Sequence, residues 1–202
     1  MGRAISSGIL VTHDVQIRDF ATDKHKTVDD SSCGGGPGQL MKVDVVAPAI
    51  RAAKELNIEN TRVILLDPAG QLFTQADSRR LASHEHLIFV CGRYEGIDAR
   101  IEHYVDESLS IGNYVLTGGE LAALVILDAT IRHLPGVLGN TESAATESHE
   151  DNLLEHRQYT RPIEYEGHRV PEVLIGGNHE AIRSFRQADR VQRTRAMRPD
   201  IC

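Results

Sequence analysis

The sequence contains no tryptophan, and aromatic residues make up only 4% of its 202 positions. It also lacks any apolar run of about 18 residues or more, the length that a membrane-spanning helix needs. No charged-then-apolar leader opens the chain. These absences argue against a membrane protein and against a secreted one, so we expect a cytoplasmic location.

Cysteine is also scarce, with widely spaced residues at Cys33, Cys91 and Cys202. An odd number at such spacing fits a reducing compartment, and no pair has the spacing of a zinc site. Apolar residues make up 41% of the chain and charged residues 25%, which is ordinary for a globular protein with a real core.

The net charge of −7 argues weakly against a nucleic-acid partner, but the charge is unevenly distributed. Residues 183–198 contain six arginines and a single acid, whereas residues 142–155 contain five acids and no Lys or Arg. Both runs have two interpretations. They form solvated faces, or the arginine run contacts phosphates.

Apolar segments that end in glycine alternate with helical patterns along the first two thirds of the chain. The strand-like segments, each followed by a glycine-bearing loop, are 62–70, 86–96 and 107–112. The helical patterns are 45–56, 78–84, 97–104 and 121–133. This alternation predicts an α/β fold with a parallel sheet and helices on both faces. Because ligands bind at the carboxyl ends of parallel strands, the three glycine-bearing loops should converge on one ligand.

Two long segments have little regular pattern. Residues 18–42 are polar and glycine-rich, and a loop of that length is usually functional or disordered. Residues 135–162 form the second such segment. The stretch 171–190 then predicts a strand, a glycine turn and a helix whose N-cap is Asn178.

The glycine loops do not match the known phosphate-binding signatures. No loop has the lysine that a Walker sequence requires, and the dinucleotide pattern starting at Gly34 fails at Gln39. The loop at 111–119 carries no Lys or Arg, so it suits a flat, largely uncharged group such as adenine. The alternative for each loop is a tight turn without a ligand.

Eight motifs occur together and in the order of one family: KHKTVDD, GGGPGQLMK, LLDPAG, CGRYEGIDARIE, SIGNYVLTGGELAA, RHLPGVLGN, QYTRP and PEVLIGGNH. Over nearly all its length the chain resembles the bacterial tRNA (guanine-N1)-methyltransferases, the TrmD family of the knotted SPOUT class. The resemblance implies a deep trefoil knot that binds S-adenosylmethionine. It also implies methylation of guanine N1 at position 37 of tRNA, by a homodimer whose active sites draw on both subunits.

The same resemblance assigns a binding site for the methyl donor, residue by residue, to the three glycine-bearing loops. The implied residues are Leu65, Leu66, Pro68, Gly92, Tyr94, Glu95, Gly96, Ile111, Gly112, Asn113, Tyr114, Val115, Leu116, Gly118 and Gly119. The family often needs Mg²⁺, but the sequence has no ligand cluster that locates a metal.

The family's catalytic arginine corresponds to Arg132 and its catalytic aspartate to Glu147. Guanine N1 carries a proton and needs a general base, and the charge that develops on O6 needs a cation. We therefore expect Glu147 to be the base and Arg132 its electrostatic partner. The alternatives are an exposed acid in an acidic loop for Glu147 and a charge at a helix C-terminus for Arg132.

The chain departs from the family pattern at several points. Glu147 replaces an aspartate, Asp67 replaces a small polar residue, and Cys33 stands where the family often has tyrosine. By comparison with the family, the usual opening strand is missing and the end is short. The resemblance divides the chain into a knotted donor-binding domain at 1–135, a catalytic interdomain loop at 136–162 and a truncated tRNA-binding segment at 163–202.

Two other functions stay open at this point. One is a different knotted RNA methyltransferase, with a ribose oxygen or another base as its target, although QYTRP and GGGPG favour guanine N1. The other is a catalytically impaired protein that binds tRNA or the donor, which the substituted carboxylate and the short ends allow.

Overall fold

The structure is a computed structural model that describes residues 1–57, 59–138, 147–149 and 151–201. Cys202 and part of the predicted interdomain loop lie outside these ranges. The chain divides into two compact units, Met1–Gly139 and Asn140–Cys202, and each is described by itself.

The described residues of the first unit form five strands and four α-helices. The strands are β1 Asp29–Ser31, β2 Gln39–Met41, β3 Thr61–Leu72, β4 His86–Cys91 and β5 Glu107–Ser110. The helices are α1 Gly2–Ser6, α2 Val43–Glu55, α3 Gln75–Leu81 and α4 Glu120–Ile131, with 3-10 helices at Ile17–Phe20 and Ala99–Tyr104. In the second unit, β6 Glu164–Tyr165 pairs with β7 His168–Arg169, and the 3-10 helix Glu172–Leu174 precedes the long helix α5 His179–Met197.

A parallel sheet forms the centre of the first unit, with β3 between β4 and β5. Successive residues of β3 point to opposite faces. Val63 and Leu65 pack with α2 in one apolar cluster, and Ile64 and Leu66 pack with α3 and α4 in another. The predicted α/β fold with a parallel sheet is confirmed, and its near-continuous apolar strands are explained by burial on both faces.

Ion pairs fasten the amino-terminal end of β5 to its neighbours. Glu107 accepts hydrogen bonds from Arg62 Nε and Arg80 Nη2, both at 2.7 Å. Burial raises the pKa of the Glu107 carboxyl, but the bonds from the two arginines lower it more, so the net pKa lies below its ordinary value. Next to it, the Val63 N–H donates to Asp106 Oδ2 at 2.6 Å.

Side chains cap the starts of two helices. Asn178 Oδ1 accepts from the backbone N–H groups of Glu180 and Ala181, both at 3.1 Å, so the predicted N-cap of α5 is confirmed. At the start of α3, Thr74 and Asp77 form a reciprocal capping box that the sequence reading did not identify.

Three expectations about secondary structure were wrong. The PAG stretch does not end β3, which continues to Leu72 because Gln71 and Leu72 pair with β5. The predicted strand near 172–174 is a 3-10 helix. The segment 18–42 is not an irregular loop, because β1 and β2 pair within it as an antiparallel hairpin. The helical pattern predicted at 97–104 is observed as a 3-10 helix at Ala99–Tyr104.

Candidate ligand pocket and catalytic residues

Three chain segments at the carboxyl edge of the sheet enclose a cavity of about 380 Å³. They are Leu65–Ala69 within β3, Gly92–Ile97 after β4, and Leu109–Gly119 at the end of β5 and beyond it. The convergence of the three glycine-bearing segments, predicted from parallel strand order, is therefore observed.

The first wall of the cavity is a bulge inside β3. Leu109 on β5 pairs with both Leu66 and Gln71, so the four residues between them bulge out of the pairing. The bulge carries Asp67, Pro68 and Ala69 to the cavity, and the Ala69 N–H donates to Asp67 Oδ1 at 2.7 Å. A Cβ on Gly70 would lie 2.6 Å from Leu109 N, so only glycine allows β5 to pass this closely.

The second wall, residues 92–97, and the third wall, residues 109–119, are bonded to each other. Gly119 N–H donates to Gly92 O at 3.0 Å, and Arg93 Nε lies 3.4 Å from a carboxylate oxygen of Glu120. A Cβ on Gly119 would lie 2.9 Å from the Cα of Cys91. The last glycine of the third loop therefore lets α4 begin directly against the end of β4.

The β1–β2 hairpin supports the second wall from outside. Glu95 N–H donates to Gln39 O at 3.0 Å, and Met41 N–H donates to Gly96 O at 2.9 Å. Tyr94 and Gly96 have positive φ, at 60° and 117°, which turns the loop tightly between these two bonds. The glycine-rich segment preceding Gln39 thus belongs to an element that holds the cavity in shape.

Almost every residue that the resemblance assigns to the methyl donor lines this one cavity. Those that line it are Leu65, Leu66, Pro68, Gly92, Tyr94, Glu95, Gly96, Ile111, Gly112, Tyr114, Val115, Leu116, Gly118 and Gly119. Asn113 does not line it. Their role in donor binding stays a prediction, but their convergence is a property of the fold.

The cavity also has lining residues that the sequence reading did not assign to the donor site: Asp67, Ala69, Arg93, Ile97, Leu109, Ser110, Thr117 and Ala122. Most of them are immediate neighbours of assigned residues. Their position in the same three loops could therefore have identified them from the sequence. Ala122 comes from the first turn of α4 and lies at the cavity because Gly119 brings that helix close.

The Cys91 thiol lies beside the cavity at the end of β4, where burial and the nearby Glu120 carboxylate raise its pKa to about 11. A thiol with that pKa is protonated at neutral pH, so it is not a nucleophile there. The charged side chains at the cavity are those of Asp67, Arg93 and Glu95, and the glycine loops add backbone N–H and C=O groups.

The two predicted catalytic residues belong to different units. Arg132 directly follows α4, so it caps that helix rather than lying within it. The chain just beyond is anchored to α3, because Ser78 Oγ lies 2.8 Å from His133 Nε2. Glu147 is half-buried in the second unit.

The described residues offer neither a metal site nor a membrane-spanning helix. Within the described ranges, no group of three or more His, Cys, Asp or Glu side chains could hold a metal ion. Over the same residues, no helix is long and apolar enough to cross a membrane.

The fold and the cavity define an α/β protein with a ligand site at the carboxyl edge of a parallel sheet. Within that class the chain belongs to the tRNA (guanine-1)-methyltransferase family TrmD, because the family's sequence model matches residues 1–202.

Curated relatives agree with this assignment over almost the whole chain. A tRNA (guanine-N(1)-)-methyltransferase of Geobacter metallireducens is 49% identical over 200 residues, which cover 98% of this chain and 81% of the relative. Proteins of the same name from Symbiobacterium thermophilum and Roseobacter denitrificans are 50% and 47% identical. They match 100% and 99% of this chain and 83% of their own lengths.

Proposed function

We propose that this chain transfers the methyl group of S-adenosylmethionine to N1 of the guanine at position 37 of tRNA, next to the anticodon. The observation that carries the proposal is the cavity at the sheet edge, in which the family's donor-site residues come together. Membership of the family and the names of the relatives support the substrate and the methylated atom.

The lining of the cavity fits the donor chemically. Leu65, Ile111 and Leu116 offer apolar surface to the adenine ring, and the glycines of the third loop expose backbone groups to its edge. The carboxylates of Asp67 and Glu95 provide negative charge for the positive sulfonium and amino groups of the donor.

Methyl transfer then needs one proton transfer and one displacement. Glu147 accepts the proton of guanine N1, and Arg132 donates hydrogen bonds to the negative charge that develops on O6. The N1–methyl bond forms as the sulfur–methyl bond breaks, which leaves S-adenosylhomocysteine. Alignment of the two substrates supplies much of the rate, so a longer carboxylate than the family's aspartate must be held accurately.

The family's SPOUT-type trefoil knot is part of the proposal. Two close approaches support it. The backbone of Leu109 presses on Gly70 within the β3 bulge, and Gly119 presses on Cys91 at the end of β4. Such close approaches of backbone to backbone are compatible with the tight packing of a knotted path.

A homodimer with composite active sites is also proposed, and α4 supports it. This helix is apolar except at Glu120, Asp128 and Thr130, and Leu121, Leu124 and Val125 are 61%, 47% and 51% exposed on the surface of the first unit. Helices that are apolar all round are normally buried. A second copy of the chain is the occupant we propose, with Arg132 from one subunit facing Glu147 from the other.

The arginines of α5 support the proposed tRNA-binding segment, but not all of them are available to phosphates. Arg190 and Arg193 bond to residues 151–155, and Arg198, just after the helix, pairs with Asp200. Arg183, Arg186 and Arg195 are exposed and make no ion pair among the described residues, so we propose these three as phosphate contacts.

The remaining family properties are proposed with the function: domains at 1–135, 136–162 and 163–202, a cytoplasmic location, and Mg²⁺ as a candidate additional cofactor. The separation of two compact units near Gly139 supports the domain division. The described residues contain no ligand cluster that fits Mg²⁺, so no step is assigned to the ion.

The test is methyl transfer from labelled S-adenosylmethionine to unmodified tRNA, with the product nucleoside identified by mass spectrometry. We expect 1-methylguanosine, and none when the guanine at position 37 is replaced by adenine. Glu147→Gln and Arg132→Ala should each lower turnover by at least about 100-fold, the scale on which catalytic proton transfer contributes, while the donor still binds.

Other outcomes separate the alternatives. A different methylated nucleoside would indicate another RNA methyltransferase. A folded chain that binds the donor but transfers no methyl group would indicate the impaired protein. Near-normal turnover in either variant would reject the role assigned to that residue.

A further inference from the structure

The segment that carries Glu147 is fastened to one face of α5. Thr194, which is fully buried, accepts a hydrogen bond from Leu154 N–H at 2.9 Å through Oγ1. Asp189, which is 5% exposed, accepts from Arg157 N–H at 2.7 Å and from Arg157 Nε at 2.9 Å. These two side chains lie more than one helical turn apart, so they hold the segment at two points along the helix.

Two arginines on the same face of α5, between Asp189 and Thr194, add further hydrogen bonds to the segment. Arg193 Nη1 donates to Glu155 O at 3.0 Å, and Arg190 Nε donates to Leu154 O at 3.4 Å. Backbone groups of residues 154, 155 and 157 therefore all bond to side chains of α5. Such bonds fix the path of the chain more directly than side-chain contacts at its surface do.

The constraint extends from the anchored residues to the neighbour of Glu147. Glu155 N–H donates to Ser148 Oγ at 2.9 Å, and His149 N–H donates to Leu153 O at 2.8 Å. These two bonds connect residues 148 and 149 to residues 153 and 155. Glu147 thus lies one residue from a side chain that is tied to the anchored segment.

The Asp189–Arg157 pair is suited to setting position. A buried carboxylate must be paired, because an unpaired charge in the interior is strongly unfavourable. The Arg157 side chain makes a forked contact with Asp189, and this contact holds the pKa of the carboxyl below its ordinary value. The pair is satisfied only when the chain at residue 157 lies in one place on α5.

We infer that Asp189 and Thr194 are positioning residues for methyl transfer, which fix the Glu147 carboxylate at the reach needed to take the proton from guanine N1. This inference rests on the proposed role of Glu147 as the base. It also accounts for how a glutamate can replace the family's aspartate, since the loop that carries it is held against a helix.

The first experiment compares kcat and KM for Thr194→Val and Thr194→Ser. Valine keeps the shape but loses the acceptor for Leu154 N–H, whereas serine keeps the hydroxyl. We expect Thr194→Val to lower kcat by about 10-fold to 100-fold, the cost of misplacing a reacting group by about 1 Å, with KM for the donor unchanged. Thr194→Ser should stay within about threefold of the parent kcat.

The second experiment tests whether Asp189 acts through Glu147. Asp189→Asn and Glu147→Asp are made singly and together, and the loss in kcat is measured for each. Non-additive losses are expected, because both changes alter the reach of one carboxylate. Glu172→Gln is the control, since the exposed Glu172 carboxylate pairs with Arg169 in the same unit and bonds to none of the anchored residues. It should leave kcat unchanged.

Thermal unfolding of each variant identifies any that fails to fold. A folded Thr194→Val with normal kcat, or additive losses in the Asp189 and Glu147 cycle, would overturn the inference. If Glu147→Gln itself keeps normal turnover, then the proposed base is wrong, and that result is separate from any effect of the α5 variants.

Discussion

At the scale of single residues, glycine at two positions decides whether the cavity can form. Gly70 and Gly119 each face a backbone atom of another strand, at 2.6 Å and 2.9 Å from where a Cβ would stand. A backbone neighbour cannot rotate away as a flexible side chain can. Glycine is needed here for space and not for a turn, since neither residue has a positive φ.

Replacing Gly70 by alanine should push β5 away from the β3 bulge. We expect Gly70→Ala to lower the free energy of unfolding by about 1–3 kcal/mol, as overpacked interiors do. It should also weaken the binding of S-adenosylmethionine, because the bulge carries Asp67 and Pro68. Urea denaturation and calorimetric titration measure the two effects.

Gly2→Ala is the matched control for this substitution. Gly2 lies in α1, and no other atom lies within 4 Å of the place where its Cβ would stand. Alanine is also favoured over glycine in helices. The substitution should not lower stability, and it should leave donor affinity unchanged. A Gly70→Ala protein as stable as its parent would show that β5 can move without cost.

At the scale of elements, α4 has an exposed apolar face that the first unit does not cover. Its Ala122, Ile126 and Thr130 face the core, whereas Leu121, Leu124 and Val125 are exposed. Asp128 lies at one end of that face, whereas Leu124 lies among its apolar residues, so a charge at Leu124 should prevent a second copy of the chain from packing there.

We therefore expect Leu124→Glu to convert a dimer to a monomer in sedimentation velocity, and to abolish methyl transfer if the active site is composite. The control is Leu56→Glu, which adds the same charge at another exposed leucine, just after α2. A dimeric Leu124→Glu protein would show that α4 is not the interface.

Mixing two inactive proteins tests the composite site further. If Arg132 and Glu147 of one site come from different subunits, a heterodimer of Arg132→Ala and Glu147→Gln contains one intact site. Random exchange should then restore about a quarter of the parent activity. No recovery, in a mixture that forms heterodimers, would place both residues in one subunit.

At the scale of the whole molecule, acid should destabilise the protein through its paired carboxylates. The Arg100 hydrogen bonds lower the pKa of Asp98 from 3.8 to about 2. The pKa values of Asp77 and Glu107 are also lowered, since hydrogen bonds to their partners outweigh the opposing effect of burial.

A folded-state pKa below the unfolded value means that the unfolded chain binds more protons in acid. These groups therefore add stability above roughly pH 4, and it is lost as the pH falls towards roughly 2. We expect the free energy of unfolding in urea to be level between pH 7 and pH 5 and to fall below pH 4. Arg100→Gln, which removes the cause of the Asp98 shift, should flatten this fall, and a curve that stays level to pH 3 would contradict the argument.

Local pattern predicted several features because their physics is local. Asn178 was identifiable as the cap of α5, since a cap depends on residues within one turn. The strands β3, β4 and β5 followed from apolar runs ending in glycine, and parallel order followed from the helices between them. Convergence of the glycine-bearing loops then followed from topology alone.

The sequence by itself determined the family, the alternation of strands and helices, and which loops meet at the cavity. Only the tertiary structure decided that residues 67–70 bulge within β3, that the β1–β2 hairpin supports the cavity, and that Arg190 and Arg193 bond to the loop near Glu147. The physical reason is distance along the chain. These arrangements depend on partners 30 or more residues away, as with Arg193 and Glu155, 38 residues apart, and no local propensity specifies such a partner.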